Sequence, residues 1–226
     1  MALPVTLPRA VEAVVFDMDG VLVDSECLFR DAMMEVSREQ GRELPHAIFM
    51  RMVGGPRDQN RLVVLEHFGA DFDFETWITT ANARALARMV DGLDLKPGAL
   101  ELMDQLEGAG IPKAVATSAG RSAVERELGP AGLIPRFAAI VTRDDCDRGK
   151  PHPDPFLIAA ERLGVAPEAC LALEDSHNGV RAAAAAGMMT IMVPDLLEPT
   201  EEIRALCLAV LPSLHEVRRL LADYAP

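Results

Sequence analysis

The four cysteines, Cys27, Cys146, Cys170 and Cys207, include no closely spaced pair, and the absence of a CxxC motif excludes a zinc knuckle and a dithiol redox centre. Scattered thiols of this kind suit a reducing compartment, so the expected location is the cytoplasm. Long apolar runs are missing as well. Nothing approaches the roughly 18 consecutive apolar residues of a membrane-spanning helix, and the opening MALPVTLPRAVEA has no charged stretch leading into a long apolar one. Neither a membrane span nor a secretory leader is expected. Basic blocks are also absent: 22 Lys and Arg are spread among 35 Asp and Glu, giving a net charge of −13, which argues against nucleic acid or an anionic membrane as a partner. An anionic small molecule would have to meet local positive charge or a metal. Aromatic residues are 4% of the chain although half of it is apolar, so its core must be built from Ala, Leu, Val, Ile and Met. A length of 226 residues supports one substantial core and a smaller second one.

What is present is a rhythm. Short apolar runs recur at 11–16 (VEAVVF), 112–117 (PKAVAT), 137–142 (FAAIVT), 170–174 (CLALE), 189–193 (MTIMV) and 208–212 (LAVLP), with amphipathic stretches between them. This alternation predicts an α/β fold with a doubly wound parallel sheet, whose strands read as continuous apolar runs because helices cover both faces. One interval is too long for a single crossover. From Glu26 to Asp91 the chain reads as helix: Leu28, Ala32, Met33 and Val36 recur at helical spacing up to Gly41, and ETWITTANARALARMV repeats the pattern. The predicted organisation is a core of residues 1–25 and 92–226 with an all-helical domain, 26–91, inserted after the first strand. Residues 98–110 resume the core as a crossover helix, and the run Ala182–Ala186 is read as a tightly packed helix ending at Gly187.

Open parallel sheets bind ligands beyond the carboxyl ends of their strands. There the sequence places Asp17 and Asp19 after the first strand, Thr117 and Ser118 after the second, Lys150 beyond the third, and Glu174 and Asp175 after the fourth. Each has an ordinary reading when taken singly: Asp17 and Asp19 as turn residues, Thr117-Ser118 and Glu174-Asp175 as helix caps, Lys150 as a solvated loop charge. Together they converge on one edge. Two aspartates two residues apart repel unless a cation or a proton intervenes, and several carboxylates at one edge suit Mg²⁺, which takes a few oxygen ligands and keeps waters for a phosphate. Lysine and hydroxyl groups beside them suit phosphate oxygens. The set reads as a phosphoryl-transfer site.

Four stretches in this order, DMDGV at 17–21, VATSAG at 115–120, GKPHPDPF at 149–156 and LEDSHNGV at 173–180, resemble the haloacid dehalogenase superfamily, in its phosphatase and sugar-phosphate mutase branch with a helical cap. The resemblance implies a Rossmann-like core with a cap over the strand ends. It implies that Asp17 is the nucleophile that becomes an aspartyl-phosphate and that Asp19 is the general acid and then the base that activates water. By the same resemblance Thr117, Ser118 and Lys150 hold the phosphoryl group. Mg²⁺ is bound by Asp17, the Asp19 main-chain carbonyl and Asp175, with Glu174 either a direct ligand or acting through water.

The expected reaction is Mg²⁺-dependent hydrolysis of a small phosphorylated metabolite, a sugar phosphate or related ester. The alternative is a β-phosphoglucomutase-type transfer. In RMVGGPRDQN at 51–60, Arg57 follows a flexible turn and is either a surface arginine or the cap contact to a distal anionic group that the resembling mutases have near this place. All three lysines, Lys96, Lys113 and Lys150, lie outside 26–91, so the cap Schiff-base lysine of the related phosphonate-cleaving enzymes has no counterpart. Dehalogenases of the superfamily lack the second DxD aspartate and the metal, whereas Asp19 and Asp175 are present here, so dehalogenation is not expected. In an ungapped reading Phe29 stands where the mutases carry a histidine that engages the general acid, which favours water as the acceptor. A receiver-type binding module, which also groups carboxylates, hydroxyls and Lys around Mg²⁺, would place its acidic pair and its phospho-acceptor on different strands.

Overall fold

A computed structural model describes residues 6–55 and 57–222. Six parallel strands, β1 (Ala13–Phe16), β2 (Lys113–Ala116), β3 (Ala139–Val141), β4 (Cys170–Glu174), β5 (Met189–Met192) and β6 (Ala209–Val210), form one sheet in the order β3-β2-β1-β4-β5-β6. Each lies inside one of the six apolar runs. The strand order leaves β1 in both directions, so the switch point falls between β1 and β4, where Phe16 pairs with Leu173.

Every residue of β1 is buried, and the two-residue period divides them. Val14 and Phe16 join a cluster with Leu102, Met103 and Leu106 of α5 (Ala99–Gly108), Val124 and Leu128 of α6 (Arg121–Leu128), and Leu214, Val217 and Leu221 of α10 (Leu214–Ala222). Ala13 and Val15 face the opposite way, toward Phe156, Ala159 and Ala160 of α7 (Asp154–Leu163) and Ala182 and Ala183 of α8 (His177–Ala185). That second face is mostly alanine, so α7 and α8 approach the sheet closely. The alanine run is therefore a packing surface, and the chain turns out of it at Gly187, whose φ is 80°. Burying a side chain the size of Phe16 or Leu171 contributes roughly 1.5–3 kcal/mol each. The remaining crossover helix is α9 (Glu201–Leu206).

Residues 26–91 hold α1 (Glu26–Glu39), α2 (His46–Met50), α3 (Arg57–Phe68), α4 (Phe74–Arg88) and a 3-10 turn, Met89–Asp91. Asp73 caps α4 by accepting from Thr76 N at 3.0 Å. These helices gather around Trp77, which is fully buried among Val64, Phe68, Phe72 and Phe74 and donates from Nε1 to Ser37 Oγ at 2.9 Å. The chain enters and leaves this segment side by side: Val23 and Leu95 form an antiparallel bridge, Asp24 N donates to Asp94 O at 3.0 Å, and Lys96 N donates to Leu22 O at 2.9 Å. Among the described residues no helix is long and apolar enough to cross a membrane.

Candidate active site

The sheet ladder carries Asp17 one step past β1, where its N–H donates to Leu173 O at 2.9 Å. Met18 then turns into the core, so Asp17 and Asp19 emerge on the same side. The loop closes at once, with Gly20 N bonding Val23 O at 2.9 Å and Leu22 N bonding Met18 O at 2.9 Å. Gly20 has φ +81° and lies so near Asp175 that a Cβ would stand 2.4 Å from its Oδ2. Only glycine satisfies both the backbone and the close approach.

At the end of β4, Glu174 is fully buried. Its Oε2 accepts from Asp175 N (3.1 Å), Ser176 N (3.1 Å) and Ser176 Oγ (3.0 Å), and its Oε1 accepts from Lys150 Nζ at 2.5 Å. Gly179, in the first turn of α8, leaves the room this carboxylate occupies, since a Cβ there would fall 1.8 Å from Glu174 Oε1. Lys150 Nζ also donates to Asp17 Oδ1 and lies 5.1 Å from the centre of the Phe156 ring. Carboxylate oxygens of Asp17, Glu174 and Asp175 all lie within 4.8 Å of one another.

Capping is done by other residues. Ser176 caps α8 by accepting from Gly179 N at 3.0 Å, and Gly120 precedes α6, whose Arg121 N is held by Asp144 Oδ2 at 2.9 Å. Glu174, Asp175, Thr117 and Ser118 are thereby free of the capping roles that would explain them without chemistry. Thr117 Oγ1 accepts from Ala119 N at 3.0 Å, which leaves its hydroxyl proton to donate.

Burial dominates the electrostatics. It pushes the Asp17 carboxyl up to about 7 against the pull of Lys150, with Glu174 and Asp19 adding to the rise. Asp19 is likewise raised to about 7, by burial and then by the Glu127 carboxylate, while the hydroxyl of Ser25 on its Oδ1 works the other way. Asp175 is raised by burial and by Glu174. Burial would lower Lys150, yet Asp17 and Glu174 hold its ammonium above the usual range. Three clustered carboxylates, with Asp19 beside them, share one ammonium, and the groups left to bind a ligand there are oxygens. A hard divalent cation fits that set.

The structure brings Asp17, Asp19, Thr117, Ser118, Lys150 and Asp175 onto one cavity of about 810 Å³, with Glu174 beneath it. Arg57 is not brought there. Its guanidinium pairs with Glu75 at 2.6 Å on the exposed side and lies 5.8 Å from the centre of the Phe74 ring, because the first turn of α3 points it along α4. The arginine from the helical segment that does line the cavity is Arg51, and Arg181 of α8 lines it from the core. Two further residues were not singled out from the sequence. Ser25 contacts Asp19, and Glu127 is buried on α6 with Val124 and Leu128. An acidic residue on the apolar stripe of an amphipathic helix was the available signal for Glu127.

Residues 11–187 match the family of haloacid dehalogenase-like hydrolases. The chain is 33% identical over 182 residues to the phosphorylated carbohydrates phosphatase of Thermotoga maritima, covering 80% of this chain and 84% of that one. It is 36% identical over 197 residues to the probable pseudouridine-5′-phosphatase of Drosophila melanogaster, covering 83% of each. Among solved structures, a HAD family hydrolase of Deinococcus radiodurans with bound phosphate and sodium superposes with a TM-score of 0.81 at 32% identity, covering 94% of this chain and 96% of that one. The motifs at the strand ends and these likenesses agree: the chain belongs to the haloacid dehalogenase-like hydrolases, in their phosphatase branch, and is a phosphoric monoester hydrolase.

Proposed function

We propose that the protein hydrolyses monophosphates of small metabolites, sugar phosphates or related esters, with Mg²⁺ and through an aspartyl-phosphate on Asp17. The observation that carries this reading is the grouping of Asp17, Glu174 and Asp175 within 4.8 Å around Lys150. Asp17, Asp175 and the main-chain carbonyl of Asp19 would hold the cation, which when bound neutralises the carboxylates and polarises the phosphoryl oxygens. Glu174 has both oxygens engaged, so its part is to anchor Lys150 and the turn at 175–176.

Asp17, ionised beside Lys150, attacks phosphorus. Lys150, the Thr117 hydroxyl and the Ser118 main chain receive the transferring oxygens. The Asp19 side chain is not one of the three clustered carboxylates; it is turned toward Ser25 and Glu127, and from that position it would give a proton to the leaving oxygen. Once the leaving group has departed, the same carboxylate takes a proton from a water whose oxygen bonds to phosphorus as the bond to Asp17 breaks, which frees phosphate and restores the Asp17 carboxylate. The segment 26–91 acts as a cap that excludes bulk water.

A mutase reading requires a second acceptor group to compete with water. Phe29 packs into the apolar cluster of the cap and supplies no hydrogen bond toward Asp19, which favours hydrolysis. Phosphate release from hexose monophosphates, followed by phosphorus NMR with Mg²⁺ and then with a chelator, tests both points. Release that stops in chelator and returns with Mg²⁺ is expected. Isomerised sugar phosphate with little free phosphate would replace hydrolysis by the mutase reading.

A further inference from the structure

Glu26 follows Ser25, the residue that donates to Asp19, and itself lines the reaction cavity. Glu26 also lines a second cavity of about 200 Å³ that continues from the first into the cap. Its walls are apolar, formed by Phe29, Met33, Phe49 and Met52. Two acceptors interrupt them: Glu26 Oε2 and Asn60 Oδ1 are both buried without a hydrogen-bond partner. The Asn60 amide is oriented by its own Nδ2, which donates to Gly55 O at 3.2 Å, so the carbonyl oxygen is the end left over. Among the described residues this slot is lined by no Lys, Arg or His. The nearby arginines of the larger cavity are engaged, Arg51 with Glu66 at 2.5 Å and Arg181 with Glu202 at 2.8 Å.

We propose that Glu26 and Asn60 are specificity-determining residues, which through this slot select an uncharged, hydroxyl-bearing leaving group over one that carries a second anionic group. The inference rests on the phosphatase reading above. Buried acceptors without partners carry a desolvation cost that hydroxyl donors on a ligand would relieve. A carboxylate or second phosphate would bring more acceptors to a slot lined by no cationic side chain and would lose its own hydration on entry. The charges around the slot lean the same way: burial raises the Glu26 carboxyl to about 7, and Asp195, Asp19 and Asp17 add to the rise against the pull of Lys96. Sites built on hydrogen bonds discriminate strongly against ligands that cannot complete them.

The test compares two six-carbon monophosphates that differ at the far carbon, sorbitol 6-phosphate with a hydroxymethyl group and 6-phosphogluconate with a carboxylate. The full chain is assayed with Mg²⁺ for phosphate release from each and from p-nitrophenyl phosphate. Wild-type kcat/KM is expected to favour the polyol ester by about tenfold or more, the scale of a well-made hydrogen bond to a charged acceptor. Glu26→Gln and Asn60→Leu are each expected to shrink that ratio by about threefold to tenfold, through KM for the polyol ester. Equal or reversed preference in the wild type, with p-nitrophenyl phosphate turned over, overturns the selection and leaves the phosphatase reading standing. No release from any of the three overturns both. A ratio unmoved in both folded variants overturns the assignment to Glu26 and Asn60.

Discussion

The strand edge and the cap use charge in opposite ways. At the edge, Asp17, Lys150, Glu174 and Asp175 are almost wholly buried, each is fixed to a strand end or to the backbone beside it, and each shifts its neighbours. In the cap, apart from Glu26 at its entrance, the paired charges lie on the surface: Arg57 with Glu75 is more than half exposed on both sides, and Arg84 pairs with Glu39 at 2.7 Å across the surfaces of α1 and α4. Exposed pairs contribute little because water and salt screen them, whereas removing one partner of a buried pair leaves the other uncompensated. Catalysis here depends on crowding that the sheet enforces.

Substitutions should separate the two regions by size of effect. The largest belongs to Asp17→Asn, which removes the proposed nucleophile and should lower kcat on the order of 10⁴-fold or more, with no acid-stable phosphoenzyme on quenching. Near-normal turnover would end the covalent route. Asp19→Asn comes next, a loss of about 10² to 10⁴ in kcat with KM little changed, read by steady-state kinetics. In Gly179→Ala the added methyl meets the Glu174 carboxylate, and denaturant unfolding should report about 1–3 kcal/mol of lost stability as the site is displaced. Wild-type stability in that variant would mean that Glu174 has somewhere else to go.

The Glu26 carboxyl offers a pH test. Its folded-state pKa is raised, so the stability it contributes is complete below its ordinary pKa of 4.5 and is lost as pH rises through about 7. Glu26→Gln should therefore stabilise the free protein at pH 8 by roughly 2 kcal/mol and barely at all at pH 5. A uniform shift at both pH values would show that the carboxyl is not buried against charge. Smallest of all is Arg57→Ala, expected to alter kcat/KM by no more than about twofold, since its partner is an exposed glutamate. A tenfold loss confined to substrates with a second anionic group would bring Arg57 back to the cavity.

The same contrast explains what could be read from the sequence. The run CLALE coincides with β4, residue for residue, because a central strand buried on both faces admits no polar interruption until its end, and that end is where Glu174 stands. At the sheet edge the reading was too generous: LAVLP contains only the two-residue β6, which pairs with β5 alone. Motif residues at strand ends could be placed because the backbone fixes where they emerge. Arg57 could not, since a long side chain at a helix start has many directions and its choice of Glu75 depends on how α3 lies against α4. Ser25 and Glu127 were missed for a related reason. Their importance comes from meeting Asp19, and Glu127 does so from a distant part of the chain, which no local spacing records.

The paired connections at Val23 and Leu95 give the cap a kinematic character. Two loose tethers would let the helical segment slide, tilt and twist over the cavity. Two strands bonded to each other behave as a single strap, so the easy movement is a swing about the line of that strap. The strap is not isolated from the chemistry, because Val23 also bridges to Asp19 and accepts from Gly20 N. A swing about that line would therefore strain the turn that carries Asp19, so the position of the helical segment and the placing of that carboxyl are linked through Val23.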